Sequence, residues 1–514
     1  MSKTIIIIGA GLAGLSAALQ AAENGCNVKL VSSLPSERAQ SVMAEGGINA
    51  ALNTKDENDS PEEHFTDTIK AACGLADPNA VWGMTQAAPE LVHWLLKLGV
   101  KFNMSGYDDV DLRNFGGQKK KRTAFAQSDT GKQIMTAMID AVRRKEASGM
   151  VERFSHHSFL TLRLCGNICC GCVIRDEYSQ EIVELPGNAV IVASGGMHGL
   201  FGNTTGSLSN TGEVTAELFR LGVPLVNGEM IQYHPTTVEC GGKRMLISEA
   251  ARGEGGRLFA LRNNQPWYFM EEKYPELGNL MPRDITAREI WKVSHESEVF
   301  LDMTEISKEV ISNKLSGLAD DGMTYLHKDI RKEPVPVLPG IHYFMGGILV
   351  DEQHRTSIQN LYAAGECCAQ YHGANRLGGN SLLGALYGGR VAAKSACEQA
   401  DVVDLSCATQ IDFPPASQIS EIKQLNKVMQ ETMGVVRNEN TLLNGIQTVQ
   451  ALTGNLPLLG MAVLKSALAR KESRGAHWRE DYPKSNDDDY LKTTVARFDG
   501  KQIQISFVPV PERR

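Results

Sequence analysis

The chain has 514 residues, 42% of them hydrophobic, with 52 Lys and Arg against 60 Asp and Glu for a formal net charge of -8. That length exceeds a single hydrophobic core and predicts two or three domains with a cleft between them, and the acidic balance argues against nucleic acid as a partner. Its 11 cysteines are too dispersed for a secreted disulfide scaffold, and no uninterrupted apolar run reaches the ~20 residues that cross a bilayer.

Taken in order, Thr4 to Ile8 reads as a buried strand. Leu12 to Asn24 reads as a helix with Leu12, Leu15 and Leu19 on one side and Gly25 as its stop, and a second strand follows. Gly9, Gly11 and Gly14 therefore fall in G-x-G-x-x-G between a strand and a helix. One glycine allows the tight turn, one lets backbone approach a pyrophosphate, and one brings helix against strand. The helix N-terminus adds free N–H groups and a partial positive charge. Ser32 and Ser33 stand where an NAD site has an acid for the ribose, which disfavours NAD. The run Lys119-Lys120-Lys121-Arg122 reads as a solvated face. "LTLRLCGNICCGCVIRD" reads as a hairpin turning at Gly-Asn; Cys165, Cys169, Cys170 and Cys172 lack a pair of C-x2-C units and read as packed thiols, with no metal expected. Apolar strands return at 189–196 and 360–367, so a nucleotide-binding domain is interrupted by an insertion. The expected fold class is α/β: a Rossmann-like domain from 1–222 and 345–413, an inserted α+β capping domain over 223–344, and a charged helical domain over 414–514.

Four stretches set a histidine or a cation beside glycine or proline: "QYHPTT" with His234, "MPRDI" with Arg283, "PGIHYFMGG" with His342 and "HGANRLGGNS" with Arg376. Glycine leaves the backbone bare, so amides and a charge can reach one small anion together. Two carboxylates at opposite ends of a substrate need several such donors. In "SEAARGEGG", Glu249 and Arg252 stand three residues apart, a spacing that on a helical turn makes an ion pair or a proton relay.

Together with "SVMAEGGINAAL", "FGGQKKKRTAFAQSDTGKQ", "AAGEC" and "ALARKESRGAHWREDYP", these stretches resemble the succinate dehydrogenase and fumarate reductase flavoprotein family, in the family's order and over nearly the whole chain. The resemblance implies a two-part FAD-binding domain, an inserted cap, a C-terminal helical domain, and interconversion of fumarate and succinate at the central bond of a C4 dicarboxylate. It implies that His234, His342 and Arg376 grip the carboxylates, that the flavin N5 delivers hydride while Arg283 delivers the proton, and that Glu249 and Arg252 refill Arg283. Phe115 would pack on the substrate, and Ser248, where the family usually has threonine, would bond a carboxylate. For FAD it implies Gly9, Gly11 and Gly14 at the pyrophosphate. Ser41, Ala44, Glu45, Gly46 and Gly47 would lie along the isoalloxazine, Glu366 at the ribityl or ribose hydroxyls, and Ser381 and Leu382 at the pyrimidine end. Ser33, Tyr343 and Glu213, commonly an aspartate in the family, complete the expected cofactor contacts.

The chain departs from the family at Gln40, the position of the histidine that tethers FAD in the membrane complexes. Glutamine cannot form that bond, so noncovalent FAD is expected, with a lowered potential that favours fumarate reduction. Gly384 replaces a usual acid after "NSLL", and Ala250 a common glycine. The end of the chain resembles complex-forming subunits, which implies an iron–sulfur partner subunit and a cytoplasmic location, with the inner face of a membrane reached only through a partner. Two enzymatic alternatives stand beside this reading. L-aspartate oxidase shares "PRDI", "RGEG" and "GANR" but usually lacks the "FGGQKKKRTAF" block; a solitary FAD-dependent reductase would act on another unsaturated acid, such as an acrylate or cinnamate. A flavin-binding assembly protein without turnover fits poorly with so full a set of candidate catalytic residues.

Overall fold

Ile5, Ile6 and Ile7 are fully sealed from solvent, as a central parallel strand covered on both faces requires. The computed structural model describes residues 2–106, 109–400, 411, 413 and 418–514. Its main sheet has five parallel strands in the order Leu361–Ala363, Ala189–Val192, Thr4–Ile8, Asn27–Ser32 and Val151–Ser155. Side chains alternate across it. Ile5 and Ile7 pack with the helices Leu12–Glu23, Thr130–Ala147 and Asn380–Gln399, whereas Ile6 and Ile8 pack with the antiparallel strands His157–Cys165, Ile168–Asp176 and Ile182–Pro186. Cys169 and Cys172 belong to that second core, and burial pushes the Cys169 thiol up to about 12, so it stays neutral.

Two antiparallel sheets follow in the chain. One joins Ile231–Cys240 with Lys243–Leu246 and Leu338–Phe344; the other runs Gln265–Trp267, Arg257–Arg262, Val299–Asp302, Val335–Pro336. The strand Ile231–Cys240 shifts register between His234 and Thr237, around Pro235, which has no N–H to give to a ladder. The helix Arg283–Ser294 packs on this strand.

The helices Ile419–Thr432, Glu439–Val449 and Asn455–Ala469 share one apolar core. The chain then ends in a hairpin, Lys492–Phe498 with Ile503–Pro509, that joins Leu225–Val226, Gly347–Leu349 and Cys368–Ala369 in a five-stranded sheet. Arg470 Nε ties this end of the molecule to Glu229 Oε1 at 2.7 Å, both side chains fully buried, just before the strand that carries His234. The expected boundary at 413–414 falls where residue 412 and residues 414–417 lie outside the described residues. No helix among the described residues is long and apolar enough to cross a membrane.

The basic run is not simply a solvated face. Arg122 is fully buried between Asp59 and Asp67, at 2.8 and 2.9 Å, because two carboxylates offset the cost of removing a guanidinium from water. Lys120 and Lys121 bind Glu57.

Candidate active site

A cavity of about 760 Å³ opens among the main sheet, the sheet bearing His234 and the helix starting at Arg283, and every expected site residue lines it except Gly14 and Arg252. At Gly9, φ is +112°, and a Cβ there would lie 2.2 Å from Ala193 O. Gly14 acts through packing instead. Its Cβ would meet Gly9 O at 1.8 Å, so only glycine lets the helix sit this close to the strand. Gly11 caps the helix without a side-chain bond, and Leu12 N–H donates to Ser41 Oγ at 3.2 Å. A second helix N-terminus enters at Asn380, capped by Gly379 at φ +84°, with Ser381 and Leu382 in its first turn. Bare backbone at two helix N-termini fits the phosphates and pyrimidine of a dinucleotide.

Along the cavity, Arg113 donates to the carbonyls of Glu45, Gly46 and Gln127, holding the segment Glu45–Gly47 in place. Burial and Asp321 push the Glu45 carboxyl up to about 8, so it is protonated at neutral pH. Glu366 Oε1 accepts from Phe344 N–H at 3.1 Å, with His198 Nε2 3.7 Å away. Gln40 Oε1 accepts from Ser207 N–H at 2.6 Å. Gly384 faces Tyr371 and His372, where a Cβ would come within 3.3 and 3.5 Å, and Ala250 sits in the apolar core beside Phe115.

The far end gathers the charged groups. Ser248 caps the short helix Glu249–Gly253, which presents Glu249 and Arg252 on one side. Glu249 Oε2 accepts from Arg283 Nε at 2.7 Å and from Nη2 at 2.6 Å; its Oε1 accepts from Gly116 N–H at 2.9 Å and lies 3.6 Å from Arg252 Nη2. Arg252 is anchored behind by Nη1 donating to Asn279 O at 2.6 Å. Burial pushes the Glu249 carboxyl up, but the charges of Arg283 and Arg252 and its hydrogen bonds prevail and hold it below the usual carboxylate range. Arg376 stands over the Tyr343 ring at 4.3 Å, and burial with the charge of Arg283 brings it down to about 9.

His234 and His342 meet edge to face at 5.2 Å, and His342 Nδ1 lies 2.8 Å from Thr205 Oγ1. Burial and the charge of Arg283 hold both well below their ordinary value, so each is a neutral imidazole. The positive charge at this end therefore belongs to the arginines, and the two histidines contribute polarity and shape. His234 Nε2 and Arg376 Nε are buried without a protein partner, and a ligand carboxylate in the cavity would satisfy such groups.

Reading the motifs missed several residues. Gln232 links Arg283 to the Arg376 turn, Asn375 continues that link to Asp284, Thr205 fixes His342, and Arg113 holds the Glu45 segment. Gln232 carried a usable signal, since it precedes His234 by two residues in one strand. The others depend on contacts between distant segments.

The FAD binding domain family matches residues 4–382, and the fumarate reductase flavoprotein C-terminal family matches residues 452–513. The succinate dehydrogenase flavoprotein subunit of Bacillus subtilis (strain 168) is 37% identical over 576 residues, covering 100% of this chain and 98% of that protein. The 8-methylmenaquinol:fumarate reductase flavoprotein subunit of Wolinella succinogenes is 33% identical, covering 100% and 92%. Among solved structures, a variant FrdA chain of E. coli quinol fumarate reductase superposes with a TM-score of 0.89 at 26% identity, covering 99% of this chain and 97% of that one. The chain therefore belongs to the succinate dehydrogenase/fumarate reductase flavoprotein family of FAD-dependent oxidoreductases.

Proposed function

We propose that this flavoprotein interconverts fumarate and succinate, with fumarate reduction the favoured direction. One observation carries the reading: Arg283, Arg376, His234 and His342, from four distant segments, line one cavity beside the FAD cradle. Two arginines and two neutral imidazoles make a donor set for a small dianion.

FAD, when bound, supplies or takes back the hydride. The other parts belong to the chain. Arg376 and the two histidines hold the carboxylates, with Tyr343 backing the Arg376 guanidinium. Phe115, only 1% exposed, walls the site against water. Reduction adds two electrons and two hydrogens across the double bond: one hydrogen arrives as hydride and the other as a proton from Arg283. Arg283 can be refilled because Glu249, an ionised carboxylate bonded to its Nε and Nη2, relays a replacement proton from Arg252 behind it. The same guanidinium groups stabilise the negative charge that develops on the substrate, a preorganised effect of about 3 kcal/mol per donor.

Gln40 lacks the chemistry to tether FAD, which supports noncovalent cofactor and the reductive direction. The relatives are named as subunits, which supports a partner subunit, and an iron–sulfur protein that passes electrons to the flavin is the partner proposed. Steady-state assay with reduced viologen tests the reading: fumarate should oxidise the dye while cinnamate does not. Hydrogen peroxide produced from L-aspartate, without fumarate turnover, would replace it with an aspartate oxidase.

A further inference from the structure

Gln232 is fully buried and uses one amide to bridge three groups. Its Oε1 accepts from Arg283 Nη1 at 3.1 Å; its Nε2 donates to Asn375 Oδ1 at 2.9 Å and to Arg376 O at 2.8 Å. Asn375 Nδ2 donates onward to Asp284 Oδ1 at 3.0 Å, next in the chain to Arg283, so the path of hydrogen bonds closes on itself. The amide can face only one way. Turned over, its NH2 would meet a guanidinium that has only donors, and its oxygen would meet two acceptors. Glu249 grips Arg283 through Nε and Nη2, and Gln232 takes Nη1, so the plane of the guanidinium is set from two sides, by one charged and one neutral acceptor.

Resting on the fumarate reading above, we propose that Gln232 is a positioning residue that sets the rotation of Arg283 and its separation from Arg376 while adding no charge. Neutrality matters to that role. A carboxylate at the same place would favour the protonated guanidinium and make Arg283 a poorer proton donor. The bond to Arg376 O gives the second part, because it fixes the turn that carries the carboxylate-binding arginine relative to the proton donor.

The test compares wild type, Gln232→Glu and Gln232→Met as FAD-loaded proteins, measuring kcat, KM for fumarate and the solvent deuterium isotope effect with reduced viologen as donor. Glutamate keeps the bond from Arg283 and adds charge, but it sets an oxygen against Asn375 Oδ1 and Arg376 O: kcat should fall at least about tenfold with a larger isotope effect, and KM should rise as the Arg376 turn loosens. Methionine preserves bulk and removes all three bonds, and should also raise KM at least about tenfold. Wild-type kcat and isotope effect in Gln232→Glu would overturn the proposal. So would loss of folding or of FAD in both variants, which would make the residue purely structural. Wild type that fails to turn over fumarate would refute the assigned reaction instead. In that event malonate binding, followed by FAD absorbance, decides on Gln232: weakening in Gln232→Met upholds the placement and unchanged binding rejects it.

Discussion

Arg283 Nε and Nη2 both end on Glu249 Oε2, at 2.7 and 2.6 Å, although 34 residues separate the two in the chain. A guanidinium gripped this way presents a fixed face to the cavity and, on the proposed function, has a proton relay at its back. Arg283→Ala should therefore cut fumarate turnover by roughly 10³-fold or more, through loss of both the proton donor and a charge-stabilising group. FAD should stay bound, since Arg283 lies at the carboxylate end of the cavity. Rates within about threefold of wild type, with full flavin content, would remove the assigned acid.

Glu249→Gln leaves Arg283 and Arg252 without the charge between them. With Arg252 fully buried and Arg283 8% exposed, losing that charge should cost about 3–5 kcal/mol of stability, read as a lower Tm. Turnover should fall about 10²-fold, because glutamine cannot return a proton. Unchanged turnover in a folded, flavin-loaded variant would show that Arg283 is refilled by another path.

Stability should also decline as pH falls below neutral. His64, His234, His354, His372 and His477 are all 6% exposed or less, and each is held below its ordinary value chiefly by burial, His64 to about 3 and His354 to about 4. Imidazoles of the unfolded chain take up a proton below about pH 6.5 while these do not, so the unfolded state binds more protons and gains on acidification. Between pH 7.5 and 5.5 each such histidine costs about 1.4 kcal/mol. The raised carboxyls of Glu45, Asp59 and Asp284 act in the opposite sense and offset part of this. Thermal melts at the two pH values should show a lower Tm at 5.5. A Tm that holds or rises would mean that these imidazoles are charged in the folded protein.

Gln40 is bonded to Ser207 N–H and offers no nucleophile to the flavin. Acid precipitation should leave yellow FAD in the supernatant, and a yellow pellet would count against the noncovalent cofactor.

Local pattern was enough for much of this protein. A run of isoleucines followed by G-x-G-x-x-G reads as a buried strand turning into a phosphate-binding helix, and the motif stretches nominated Arg283, Arg376, His234 and His342, because backbone conformation and side-chain chemistry are properties of neighbouring residues. Charge states and partnerships were decided by the tertiary structure. Neutral His234 and His342 follow from burial beside Arg283, a buried Arg122 from the convergence of Asp59 and Asp67, and the Gln232 bridge from packing a strand, a helix start and a glycine turn together. Electrostatic energies depend on which groups share a water-free space, and no spacing along the chain records that.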